Sequence, residues 1–163
     1  AVRLVKGAYW DTETVEARAR GWPEPVYTHK GETDAAFERL AQQLHLHHGT
    51  LRAAFASHNL RSLAAAVVDG RRLGIPDNGY ELQLLYGMAE PVHEAVRRAG
   101  FRLRVYTPMG ELVPGMAYLV RRLLENTSNE SFVRHHFAEG EPLEHLLVAP
   151  DAELADELED ELE

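Results

Sequence analysis

Short runs of alternating apolar and polar residues recur along the chain, separated by longer stretches where apolar residues return every three or four positions. The alternating runs are VRLVKGAY (2–9), LRAAFASH (51–58), YELQLLY (80–86) and FRLRVYT (101–107). Alternation with a period of two over such lengths predicts strands. Between them, residues 34–48 place Phe37, Leu40, Ala41 and Leu44 at helical spacing. Asn59 is a good N-cap for a helix with Leu60, Leu63, Ala64, Val67 and Val68 on one face. Val92, Ala95, Val96 and Ala99 repeat the pattern, and Gly100 ends it. Met116, Leu119, Val120, Leu123 and Leu124 repeat it again. Strand alternating with helix predicts an α/β fold of parallel strands joined by helical crossovers.

The strand faces narrow the choice. Tyr80, Leu82, Leu84 and Tyr86 share one face of the third run, with Glu81, Gln83 and Leu85 opposite. Phe101, Leu103 and Val105 oppose Arg102, Arg104 and Tyr106, and in the first run Arg3, Val5, Gly7 and Tyr9 share a face. A doubly wound sheet reads as near-continuous apolar runs. A (β/α)8 barrel covers one face with helices and turns the other inward, where Glu81 can meet Arg102 or Arg104. The expectation is therefore a TIM-type barrel, whose function gathers at the C-terminal strand ends. Those ends are 6–10, 57–59, 85–88 and 106–110. Four strands close only half of such a barrel and leave raw edges. The chain also opens directly inside a strand, so it is expected to be one part of a larger domain. Residues 1–140 are expected to form the half-barrel, and 141–163 an acidic linker or tail.

Charge supports this division. The net charge is -9, and residues 151–163 (DAELADELEDELE) carry eight acidic groups and no basic one. The rest of the chain is close to neutral, so no basic nucleic-acid footprint is present. Leu154, Ala155, Leu158 and Leu162 give the tail a weak amphipathic pattern, but a solvated acidic linker is expected. With no cysteine, disulfides, zinc–thiolate sites and thiol catalysis are excluded. No apolar run reaches the roughly 20 residues that span a bilayer. A cytoplasmic location is expected, with at most a peripheral contact at the membrane.

Neither a Rossmann glycine pattern nor a P-loop occurs, and GxSxG and HExxH are absent. His45, His47 and His48 lack matching carboxylates or cysteines, so they are read as a partly solvated helix end; His135 and His136 are read the same way. No metal is expected. Arg121 and Arg122, opposite the apolar stripe of the last helix, can clamp a carboxylate with bidentate donors. The pattern alone favours a solvated face with a surface Arg–Glu pair. Lys6 can serve an anionic cofactor or merely snorkel. His58 can meet a ligand or hold a loop, and Tyr9 and Tyr106 can wall a pocket or fill a core.

Five motifs, RLVKGAYWD (3–11), FASHN (55–59), YELQLLYGM (80–88), VYTPMG (105–110) and YLVRRLLEN (118–126), together resemble the proline dehydrogenase family in order and spacing. The resemblance covers residues 2–138, and ENTSNESFVRHHFAEG (125–140) looks like its bifunctional proline-utilisation members. It implies the C-terminal half of a distorted (β/α)8 barrel with non-covalent FAD. L-Proline would be oxidised to Δ1-pyrroline-5-carboxylate, a hydride passing from proline C5 to flavin N5, and electrons would pass on to a membrane quinone. An aldehyde dehydrogenase module would follow in the same polypeptide.

By the same resemblance, Arg3 matches the arginine near flavin N5, and Val5, Lys6, Gly7, Ala8 and Trp10 the strand end lining the flavin. Thr28 and Lys30 match a stretch that meets the ribose and phosphates. Ser57, His58 and Asn59 match a triplet at the next strand end, with serine in place of the usual threonine. Glu125, Ser131 and Phe132 match positions around the adenosine end. Arg121 and Arg122 match the pair that holds the proline carboxylate, and Tyr9, Leu85 and Tyr106 match residues that wall the proline ring. Tyr86 and Met109 stand where many relatives have histidine and valine. A lysine, an aspartate and a glutamine that the family uses on earlier strands have no counterpart here, so the isolated chain is expected to be inactive. Two other readings stand beside this one: a non-catalytic half-barrel that self-associates, and another flavin barrel such as a folate reductase. The arginine pair favours a small carboxylate substrate over the latter.

Overall fold

Right-handed crossovers between parallel strands place their helices on a face that depends on the direction of travel across the sheet. Here the four strands lie in the order β1-β2-β3-β4, so every crossover moves the same way and the helices gather on one face. The computed structural model describes residues 1–7, 10–127, 142 and 147–150. Among them the strands are β1 (Val2–Val5), β2 (Ala53–Ala56), β3 (Glu81–Leu85) and β4 (Leu103–Tyr106). The helices are α1 (Trp10–Arg20), α2 (Lys30–Leu46), α3 (Leu60–Arg72), α4 (Glu90–Arg98) and α5 (Leu112–Thr127). All three strand pairs are parallel.

Register sorts the side chains into two faces. In-register neighbours of a parallel pair point the same way, so Leu4, Phe55, Leu82 and Leu103 form one row. That row meets the helices, and Phe55 and Leu82 are buried. The opposite face carries Arg3, Ala54 and Glu81 in one row and Val5, Ala56, Gln83 and Arg104 in the next. Glu81 meets Arg104 there through two bonds, 2.7 and 2.9 Å, as the strand pattern predicts. The Arg104 bond, then Gln83 and the charge of Arg102, hold the Glu81 carboxyl below its ordinary range against the opposing effect of burial.

The helices differ from the sequence reading in instructive places. The α1 helix is not predicted by the apolar pattern. Its buried residues are Thr14 and Ala17, too small and polar to make a hydrophobic stripe. The α2 helix starts four residues before the predicted 34, because Glu32 reaches back to accept the His29 N–H at 3.3 Å. On α3 the buried stripe is Ser62, Leu63, Ala66 and Gly70; Ala64 and Val68, expected on it, are exposed. On α4, Val92 and Val96 are buried while Ala95 and Ala99 are exposed. Asn59 caps α3 as expected, accepting the Ser62 N–H at 3.2 Å.

His45 is a correction. It lies not at a solvated helix end but in the core, with its ring 4.9 Å from both Phe55 and Tyr80. Gly70 makes room for it: a Cβ there would stand 3.0 Å from Tyr80 and 3.2 Å from His45. The Ala66 carbonyl can only accept, so His45 Nε2 donates to it, at 2.8 Å. Nδ1 is buried without a hydrogen-bond partner among the described residues. Protonating it would bury a charged donor with no acceptor, and burial accordingly lowers the pKa below the ordinary 6.5, against the opposing Ala66 bond. The unfolded chain therefore takes up the proton that the folded chain refuses. The stability due to neutral His45 is present above about pH 6.5 and is lost as pH falls. Thermal unfolding at a series of pH values should show Tm falling below that point, with a shallower fall in His45→Gln. Equal slopes would contradict the assignment.

Candidate functional site at the C-terminal strand ends

Because the strands are parallel, their C-terminal ends open on one side of the sheet. Lys6 follows β1 there, residues 57–59 follow β2, 86–88 follow β3 and 107–110 follow β4. Two clusters form at these ends.

The first surrounds Asp34, in the opening turns of α2, whose side chain is 5% exposed. Lys6 Nζ pairs with Oδ1. Lys30 Nζ and Asn59 Nδ2 donate to Oδ2 at 3.1 and 3.2 Å. Burial pushes the Lys6 ammonium below its ordinary pKa, and Asp34 works against that shift. Gly7 next door has φ +103, and a Cβ there would meet nothing within 4 Å. That conformation favours glycine and leaves the backbone open to close approach. Within the 57–59 turn, the Ser57 hydroxyl accepts the Asn59 N–H at 3.1 Å. A hydroxyl acceptor is what the turn needs, so serine serves in place of threonine.

The second cluster lies where α5 meets the ends of β3 and β4. Tyr118 donates to the Tyr86 carbonyl at 3.0 Å, and its ring lies 6.5 Å from that of Tyr106. Arg122 is 9% exposed, with its guanidinium 5.1 Å from the Tyr118 ring and Nη1 3.8 Å from Met88 Sδ. The Met88 turn is closed by Ala89 at φ 50, the one non-glycine residue with positive φ among the described residues. His58 spans from β2 to β3, its Nε2 accepting the Leu85 N–H at 3.1 Å. An acceptor nitrogen carries no proton, so neutral His58 is protonated at Nδ1. Burial, then the charges of His93 and Arg122, push its pKa down to about 4.

The expected residues fall into place unevenly. Lys6, Lys30 and Asn59 converge on Asp34; His58 bonds to Leu85 and feels the charge of Arg122. Arg3 is exposed on the helix-free face, in the row of Ala54 and Glu81. Val5 lies two residues further along that face and is half-exposed. Trp10 Nε1 bonds the Tyr27 carbonyl at 2.8 Å, which ties α1 to the loop that carries the exposed Thr28. Arg121 is half-buried on α5. Tyr9, Ala8, Ser131, Phe132, the Glu125 side chain, His135, His136 and the acidic stretch 151–163 lie outside the described residues.

One expectation is inverted. The pattern alone puts Arg121 and Arg122 on a solvated face, whereas the family resemblance gives them a carboxylate to hold. Met116, Leu119 and Val120 are exposed instead, and Arg122 is buried. Sequence reasoning also missed Asp34, Met88, Tyr118 and Gln83. Gln83 is buried on the helix-free face and bonds to Glu81. A glutamine amid the apolar residues of YELQLLY is a signal that points to it. Surface depressions of about 200 and 380 Å3 lie along α2, lined by Arg39 and Gln42 among others, away from the strand ends.

Comparison with known proteins decides the family. The proline dehydrogenase family model matches residues 1–135. The chain belongs to the proline dehydrogenase family. Among its relatives, the bifunctional protein PutA of Escherichia coli is 40% identical over 156 residues, which is 91% of this chain and 12% of the relative. Proline dehydrogenase 2 of Bacillus subtilis is 33% identical over 132 residues, 80% of this chain and 39% of that enzyme. The crystal structure of proline utilization A from Bdellovibrio bacteriovorus, inactivated by N-propargylglycine, superposes with a TM-score of 0.88 at 56% identity. It covers 91% of this chain and 16% of that one. The chain thus spans well under half the length of these relatives. The proline dehydrogenase domains of such neighbours form a TIM-type barrel, and this chain covers part of it.

For the family site, His58 gives a direct check. An NMR titration of its imidazole should stay flat through neutral pH and turn near pH 4. A midpoint close to the ordinary 6.5 would contradict the buried acceptor geometry.

Proposed function

We propose that this chain is the C-terminal half, residues 1–140, of the catalytic barrel of a flavin-dependent proline dehydrogenase, followed by an acidic linker at 141–163. In this reading L-proline is oxidised to Δ1-pyrroline-5-carboxylate. The observation that carries it is the buried Arg122, packed against Tyr118 and Met88 within reach of the charge-sensitive His58, at the same strand ends as the Lys6–Asp34–Lys30 cluster. Bound FAD would supply the hydride acceptor.

The residues present fit such a group. Lys6 and Lys30 offer cations to its phosphates, and Asn59 a polar edge. Gly7 would let a planar ring approach the backbone, with Val5 before it and Trp10 tying α1 to the loop at Tyr27; Ala8 is assigned to the same strand end by the resemblance. Arg3, on the helix-free face, would supply a positive charge that favours an anionic reduced flavin. Thr28 sits in the loop next to Lys30, and Glu125, Ser131 and Phe132 are assigned to the adenosine end.

The substrate side follows from Arg121 and Arg122. A guanidinium fork holds a carboxylate through two parallel bonds. The Tyr118 ring and the Met88 sulfur fix the Arg122 fork before any substrate arrives, which lowers the ordering cost. Leu85 and Tyr106 would wall the apolar ring, and the resemblance assigns Tyr9 to the same wall. Neutral His58 braces the Leu85 backbone and adds no competing positive charge. The remaining strands supply the earlier lysine, aspartate and glutamine, a downstream aldehyde dehydrogenase module consumes the product, and a quinone takes the electrons. The enzyme is cytoplasmic with peripheral membrane contact; among the described residues no helix is long and apolar enough to cross a membrane.

A second reading, self-association of the half-barrel without flavin, draws on the exposed Met116, Leu119 and Val120 of α5. Steady-state kinetics of the complete polypeptide separate the two. Arg122→Lys keeps the charge but loses the fork. It should lower kcat/KM for L-proline by about 30-fold or more, equivalent to about 2 kcal/mol, while FAD stays bound. An unchanged kcat/KM would contradict the carboxylate assignment, and absence of turnover in the parent would favour the second reading.

A further inference from the structure

Asp34 has no role in the resemblance, yet side chains from three elements converge on it. Lys6 reaches it from the end of β1, Lys30 from the start of α2, and Asn59 from the N-cap of α3. Its side chain is 5% exposed, so the carboxylate is an interior group. We propose that Asp34 is the positioning residue that holds Lys6, Lys30 and Asn59 together as one anion-binding unit for the cofactor phosphates.

The argument is one of order and charge. A lysine side chain carries about 2 kcal/mol of rotamer entropy, so an unanchored pair must be ordered when the ligand binds. Anchoring on a buried carboxylate meets that cost in advance. The Lys6 ammonium has three donors, and its bond to Asp34 uses one of them. Two lysines around one carboxylate leave the group with a net positive charge. Asn59 is fixed from both ends, since its Oδ1 caps α3 while its Nδ2 bonds Asp34. Lys6 is itself largely withdrawn from water, and the charged groups around it are Asp34, Lys30 and Glu38, all on α2. Lys30 disfavours the Lys6 proton, whereas Asp34 and Glu38 retain it. Deleting Asp34 therefore removes the main partner that keeps Lys6 charged.

This yields a sign opposite to bare Coulomb reasoning. If Asp34 merely opposed an incoming phosphate, replacing it with asparagine would tighten binding. As a positioning residue, its loss must weaken binding. The inference rests on the proposed FAD site, and the test keeps the two apart. FAD is titrated into the cofactor-free complete polypeptide and flavin fluorescence is followed. Asp34→Asn and Asp34→Glu are compared with the parent and with Glu16→Gln, which makes the same charge change at an exposed pair with Arg20. Thermal stability of each cofactor-free protein is measured alongside.

Asp34→Asn should weaken the FAD Kd by roughly 10- to 100-fold, the range for losing a hydrogen bond to a charged group. The loss should deepen as pH rises and Lys6, its pKa already lowered by burial, gives up its proton below the ordinary lysine range; a purely structural role would show no such profile. Asp34→Glu should fall between parent and Asp34→Asn, and Glu16→Gln should match the parent. FAD binding by Asp34→Asn as tight as in the parent, or tighter, would overturn the inference alone. If that variant does not fold, parental affinity in Asp34→Glu would overturn it. A parent that binds no FAD would overturn both the inference and the cofactor reading.

Discussion

A parallel sheet whose crossovers all run one way can place helices on only one of its faces. Everything else in this chain follows from that constraint. The covered face becomes the core, where Phe55, Tyr80 and Leu84 are withdrawn from water. The other face cannot be an ordinary surface or a second core, and its residues are of mixed character. Arg3, Glu81, Gln83 and Arg104 share it with Ala54 and Ala56. Small residues on β2 leave room, while Glu81 on β3 pairs with Arg104 on the neighbouring β4. In the TIM-type barrels of the family relatives such a face turns inward, which gives its polar groups a purpose that a solvent surface does not.

Buried charge is the second theme, and it lies where the strands end. A buried lysine or arginine is costly unless paired and oriented. Lys6 is paired with Asp34, and Arg122 rests against Tyr118 and Met88. These contacts link β1 to α2 and α3, and α5 to the end of β3. In the proposed site, holding the chain together and holding charged groups ready for a ligand are therefore the same interactions. His58 shows the complementary choice: burial keeps it neutral, so it can accept the Leu85 N–H without adding charge.

Much of this was legible in the chain. Strands were readable because their apolar residues alternate, and the Glu81–Arg104 pair because both stand on the polar side of adjacent runs. Cap chemistry marked Asn59. What escaped has a physical reason in each case. The α1 helix buries only Thr14 and Ala17, so no stripe announces it. Asp34 acquires its meaning from Lys6, 28 residues away, and Asn59, 25 residues away, and no local pattern encodes that. On α5 the apolar stripe misled: its Met116, Leu119 and Val120 are exposed, while Arg122 is buried. Periodicity reports that a helix has two faces but not which one meets this chain. The roles proposed for Arg121 and Arg122 come from the family motif, since the pattern alone favours a solvated face.

The central claim is that these strand ends serve flavin-dependent oxidation of proline. An anaerobic visible spectrum of the complete polypeptide with FAD, taken before and after L-proline, tests it most directly. The account predicts retained flavin whose absorbance bleaches when proline is added. Flavin that is not retained, or that is retained and stays oxidised with proline present, would contradict it.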